Sequence, residues 1–171
     1  MSMQQAILNL NIKIIMSAEN NKLNINTVRE FNLERYLGTW YEIARFDHRF
    51  EKNLKNVKAN YSIKDNGMIK VVNTGFNSEQ NRNSKIIGKA KTTKTTGLLK
   101  VSFFWFFYSD YRVLALGDNY DWALVGAGKS DKYLWILSRT EVLTKETLSV
   151  ILSEAEQRGY NTKRLIYNQK S

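Results

Sequence analysis

The chain of 171 residues contains no cysteine, so disulfides, a thiolate nucleophile and a cysteine-ligated metal are all excluded. It has a single histidine, His48, which leaves little from which to build a histidine metal site or a nucleophile–histidine pair. Proline is absent as well. No apolar run approaches the roughly 20 residues that a membrane-spanning helix needs. The most apolar early stretch, Ile7 to Ala18, is interrupted by Asn9, Asn11 and Lys13. It lacks a basic region ahead of it, and Met16 is large for a cleavage-site position. Residues 1–30 are therefore expected to be a leader or mobile segment, with export left open, and residues 31–171 a single domain. Acidic residues are also in short supply, 16 against 26 basic, for a net charge of +10. No cofactor or metal is implied.

What is present is a succession of short alternating segments. Strands are expected near 39–46, 57–64, 68–76, 85–93, 98–105, 111–117, 122–128 and 133–139. Lys64-Asp65-Asn66-Gly67 reads as a tight hairpin with positive φ at both central residues. Thr95-Thr96-Gly97, Gly117-Asp118-Asn119 and Lys129-Ser130-Asp131-Lys132 close later ones, and 77–84 is a longer polar loop. One helix follows: Thr144 caps it, Leu148, Ile151, Leu152 and Ala155 form one apolar stripe, and Gly159 stops it. Arg164 to Tyr167 reads as a last edge strand. The pattern predicts an all-β fold, an antiparallel barrel or sandwich, with one C-terminal α-helix packed outside.

Period-two alternation assigns the faces. Lysines mark the outside: Lys58, Lys70, Lys89, Lys91 and Lys100 point outward. Ala59, Tyr61, Ile63, Val71, Asn73, Ile86, Gly88, Ala90, Leu99, Val101, Phe103 and Trp105 then point inward. If Trp40 on the first strand faces Arg139 on the last across a closed barrel, Glu42, Ala44, Tyr133, Trp135 and Leu137 are inside too. The face of strand 111–117 is not legible, because both of its faces are mixed. The small inward residues leave volume, and the few polar ones would orient a guest, as a ligand cavity requires. A solid, fully packed interior fits the same pattern.

The segments Arg35 to Glu51 (with Gly38-Thr39-Trp40-Tyr41-Glu42), Lys100 to Phe104, Ala123-Leu124-Val125 and Tyr133 to Thr140 (with Leu137-Ser138-Arg139) together resemble the lipocalins, and among them the bacterial outer-membrane lipocalin and apolipoprotein D branch. The likeness covers about residues 31–168. It implies an eight-stranded antiparallel up-and-down barrel that binds and carries or stores a fatty acid, lysophospholipid or similar lipid for membrane maintenance, without catalysis. It implies ligand contact for Tyr61, Asn73 and Trp135, and alternation adds Phe103, Val101, Tyr133, Ala44, Ala59, Gly88 and Ala90. It implies a structural floor of Gly38, Trp40 and Arg139, and a periplasmic or outer-membrane location. The lack of a cysteine for lipid modification leaves a soluble location open.

The first long loop, Asp47 to Asn56, would lie at the mouth, where Arg49, Lys52 and Lys55 could hold an anionic head group. Trp105-Phe106-Phe107-Tyr108 makes a bulky apolar patch near one rim that could narrow the mouth, contact a ligand or make a dimer surface. A membrane surface and a homodimer are the further candidate partners of the chain. The alternative reading is a barrel enzyme, an isomerase or hydrolase acting on an apolar substrate through Glu42; that carboxylate has no evident acid–base partner. Nucleic acid ranks last, since the aromatics read inward and no binding motif is present.

Overall fold

The computed structural model describes residues 22–48, 52–104 and 106–168. Eight antiparallel strands follow one another: β1 (Gly38–Phe46), β2 (Leu54–Ile63), β3 (Ile69–Asn77), β4 (Arg82–Thr92), β5 (Leu98–Phe104), β6 (Phe107–Leu116), β7 (Trp122–Ala127) and β8 (Leu134–Ser138). Each pairs with its neighbour in sequence, β8 returns to β1, and β1 also pairs with β2, so the sheet closes into an up-and-down barrel. β1 is held by β2 only over Gly38–Tyr41. From Ala44 onward that edge is taken by a short ninth strand, β9 (Leu165–Tyr167). No strand edge near β1 is left open for long, which suits a barrel that avoids edge-to-edge association.

The β2–β3 hairpin differs from the two-residue turn that Asn66-Gly67 suggests. Gly67 alone has positive φ, at 76°, while Asp65 and Asn66 stay on the ordinary side. Lys64 and Met68 still pair, and the loop between them has three residues with glycine in the left-handed position.

Two apolar clusters lie on either side of the wall. One lines the barrel interior and includes Tyr36, Trp40, Tyr61, Val71, Ala90, Leu99, Val113, Val125 and Leu137. The other lies outside, where helix α2 (Lys145–Gln157) packs its stripe on the barrel. The Thr144 hydroxyl accepts from Thr147 N at 3.1 Å and caps this helix. Ile151 and Ala155 are fully buried, against a cluster that includes Leu124, Leu134 and Ile136. The short helix α1 (Leu33–Tyr36), capped by Asn32, brings Tyr36 beneath the barrel. The strap of residues 22–32 is tied to β6 and to the C-terminal end of α2: Val28 N donates to Val113 O at 3.0 Å, and Asn24 N to Arg158 O at 2.8 Å.

Strict alternation fails at two bulges. In β1, Glu42 lies opposite Leu137, but Ala44 lies opposite Ile136, with Ile43 inserted between. In β6, Val113 lies opposite Val125 and Ala115 opposite Leu124, with Leu114 inserted. Each bulge sends two consecutive residues into the outer cluster under α2: Ile43 with Ala44, and Leu114 with Ala115. Ala44 therefore faces the helix and not the cavity, contrary to the alternation read from the sequence, and Arg45 takes the inward position opposite Trp135.

Candidate functional site

The barrel floor is closed by Trp40, which is fully buried, with the Arg139 guanidinium 3.7 Å above its ring. The guanidinium also donates to three carbonyls: Thr39 O at 2.9 Å, Arg35 O at 2.7 Å and Tyr120 O at 3.2 Å. The indole N–H donates to Tyr36 O at 2.8 Å. Gly38 has φ of +93°, and a Cβ there would meet Arg139 Nη1 at 3.5 Å. Glycine at this position supplies a left-handed turn into β1 beside the guanidinium. The expected floor trio is thus brought together, and burial pushes the Arg139 pKa down from its usual value.

Above the floor the wall is apolar and buried: Tyr61, Val71, Ala90, Leu99 and Val101 are all less than a tenth exposed. Three phenols meet here. The Tyr36 and Tyr111 hydroxyls are 2.6 Å apart, and the Tyr61 hydroxyl donates to that of Tyr111 at 3.0 Å. Burial pushes the phenol pKa of both Tyr36 and Tyr111 well up, so both stay protonated at neutral pH.

Toward the mouth the interior face opens. Ala59, Asn73 and Ile86 lie in one cross-strand row, and Ile86 is 37% exposed although it faces inward. Gly88 makes room for Phe103: a Cβ at Gly88 would come within 2.6 Å of the Phe103 ring. On the opposite wall Tyr133 and Trp135 stack with centroids 5.9 Å apart and planes 8° from parallel. The His48 ring lies edge-on to both, at 5.6 and 5.3 Å. Arg45 Nη1 donates to Glu42 Oε1 at 2.8 Å, both side chains are nearly inaccessible, and Asn168 Nδ2 donates to the same carboxylate oxygen. The Asn73 side-chain oxygen is buried without a hydrogen-bond partner.

The sequence-derived interior residues Tyr61, Asn73, Trp135, Phe103, Val101, Tyr133, Ala59, Gly88 and Ala90 thus lie on the inner wall, while Ala44 does not. Lys52 and Lys55 are exposed at the mouth-end turn and the start of β2. Arg49 and Trp105 lie outside the described residues. Phe104, Phe106 and Phe107 are 59%, 82% and 83% exposed at the β5–β6 tip. Among the residues alternation missed on the inner wall, three are polar or aromatic. Arg45 is hidden by the bulge, Tyr36 sits on α1 rather than a strand, and Tyr111 lies on the strand whose face was illegible. The Asn32 cap ahead of Leu33 was the available signal for α1.

A closed antiparallel barrel with a sealed floor, an apolar throat and an aromatic-rimmed mouth is a cup for a single small apolar guest. A family profile described as Lipocalin-like domain matches residues 31–170. The chain belongs to the lipocalin family, whose barrels hold small hydrophobic ligands. It is 47% identical over 145 residues to the outer membrane lipoprotein Blc of Citrobacter freundii, covering 84% of this chain and 81% of the relative. It is 35% identical over 153 residues to temperature-induced lipocalin-1 of Arabidopsis thaliana, covering 84% and 82%. Among solved structures, insecticyanin from the tobacco hornworm Manduca sexta superposes with a TM-score of 0.69 at 21% identity, covering 88% of this chain and 86% of that one.

Proposed function

We propose that this chain binds and carries one fatty acid, lysophospholipid or similar lipid in the upper half of its barrel, in the service of membrane maintenance. The observation that carries this reading is the change along the inner wall. Side chains facing inward are buried at the floor, yet Ile86, on the same face, is 37% exposed beside the small residues Ala59 and Gly88. Packed interiors do not leave such surface unfilled. An acyl chain lying there contributes about 0.8 kcal/mol per buried CH₂ before ordering costs. Lys52 and Lys55, exposed beside the mouth, attract an anionic head group. Relatives named as outer membrane lipoproteins support placing this activity in the cell envelope. Glu42, the carboxylate an enzymatic reading would use, is already engaged by Arg45 and Asn168.

The test is titration with oleate while following tryptophan fluorescence. Trp135 lies in the wall at the mouth, so saturable quenching is expected, and Trp135→Phe should remove most of it. Absence of saturable quenching in the unaltered protein would overturn the reading.

A further inference from the structure

We propose that the base of the cup is a hydrogen-bond-donating subsite, formed by Tyr111 with Tyr36 and Tyr61, that takes an acceptor oxygen at the deeply inserted end of the ligand. This rests on the lipid-carrying reading and names the ligand class more narrowly: a lipid with a hydroxyl or carbonyl at its buried end, not a plain hydrocarbon tail.

The argument is a count of protons. Three phenols carry three O–H protons and make two hydrogen bonds among themselves. The Tyr61 proton goes to Tyr111, and one further proton is used between Tyr36 and Tyr111. Whichever way that second bond runs, one proton on Tyr36 or Tyr111 has no acceptor in the triad, and no other acceptor among the described residues contacts either hydroxyl. Burial keeps both phenols protonated, so the group at the base donates at any physiological pH.

The geometry says which hydroxyl faces the guest. Tyr36 is wholly buried, packed against the rings of Phe31, Trp40 and Tyr61. Tyr61 is nearly so, at 5% exposure. Tyr111 is the one member partly exposed, and it sits on the inner face of β6 opposite Leu99 and Ala127. A donor at the base with no acceptor in the protein is unfavourable until an acceptor reaches it. A second interior group points the same way: the buried Asn73 oxygen, also without a partner. A saturated chain satisfies neither group.

The experiment is calorimetric titration with pairs of fatty acids of equal length, from twelve to eighteen carbons, one of each pair carrying a terminal hydroxyl. In an apolar pocket the terminal hydroxyl weakens binding about tenfold or more, because it loses its water without replacement. The proposal predicts that, at the length reaching the base, the hydroxylated acid binds as tightly as its partner or more tightly. Tyr111→Phe should weaken the hydroxylated acid about tenfold more than it weakens the plain acid. Tyr36→Phe should keep the preference, since the proton count then leaves the free donor on Tyr111. A terminal hydroxyl that weakens binding at every length in the unaltered protein would overturn the proposal, with the carrier reading intact. Failure to bind either acid would overturn the carrier reading itself. Should Tyr111→Phe not fold, the comparison of acids in the unaltered protein still decides.

Discussion

The Arg139 guanidinium lies 3.7 Å above the ring of Trp40 and donates to three carbonyls at once, from Arg35, Thr39 and Tyr120. These two residues stand almost a hundred positions apart, at the end of β8 and in β1. Their contact ties the last strand to the first, and to α1, at the sealed end.

Arg139→Lys tests how much of that tie is the planar fork. An ammonium can keep one or two of the carbonyls and loses the flat stacking on the indole. A loss of about 2–3 kcal/mol is expected in urea unfolding, with little change in ligand affinity, because the pair lies beneath the cup.

Gly88→Ala tests the packing of Phe103. The new methyl would lie 2.6 Å from the Phe103 ring and 2.7 Å from Ser102 O. The ring can rotate but the carbonyl cannot. Destabilisation by about 1–3 kcal/mol is expected, and adding Phe103→Ala should restore only part of it. Thermal melts of the three variants check this.

Acid sensitivity should report on Asp110. Its pKa is held below the usual carboxylate range, first by the hydrogen bond from Lys100 at 2.5 Å and further by Arg112 at 2.8 Å. A group with a depressed folded pKa binds its proton more readily in the unfolded chain. Its stabilisation is therefore full above the unfolded value, about 3.9, and is lost as pH falls through the lower folded value. Asp110→Asn should be less stable than the parent at pH 7. The gap should close progressively below about pH 4.

The mouth lysines give a charge test. Lys52→Gln with Lys55→Gln should weaken an anionic lysophospholipid or fatty acid while leaving a neutral lipid of the same chain unaffected. Equal weakening of both would remove the head-group role from these residues.

The strands and the capped helix were legible because local signals agreed: turn residues, alternation and the Thr144 cap. That the strands close into a barrel and not a sandwich, with Trp40 and Arg139 as its floor, was legible only through the family resemblance. The inner wall was legible wherever the outer face meets water. Lys58, Lys70, Lys89, Lys91 and Lys100 mark that face, and a single polar side chain is enough to fix strand parity. It was not legible where α2 covers the outside. There both faces are apolar, so Ile43-Ala44 and Leu114-Ala115 carry no sign of the bulges that turn them to the helix. That is why Ala44 read as interior and Arg45 did not, and why Tyr111 could not be assigned. The phenol triad was out of reach for a further reason. It joins α1, β2 and β6, and only the closed barrel brings those three together.

The most direct test of the central claim is native mass spectrometry of the purified protein, followed by organic extraction of what it carries. A single fatty acid or lysophospholipid on each chain is the predicted result. A protein that is empty as purified, and that stays empty after incubation with oleate and lysophosphatidic acid, would mean the interior is filled by its own side chains and would contradict the account.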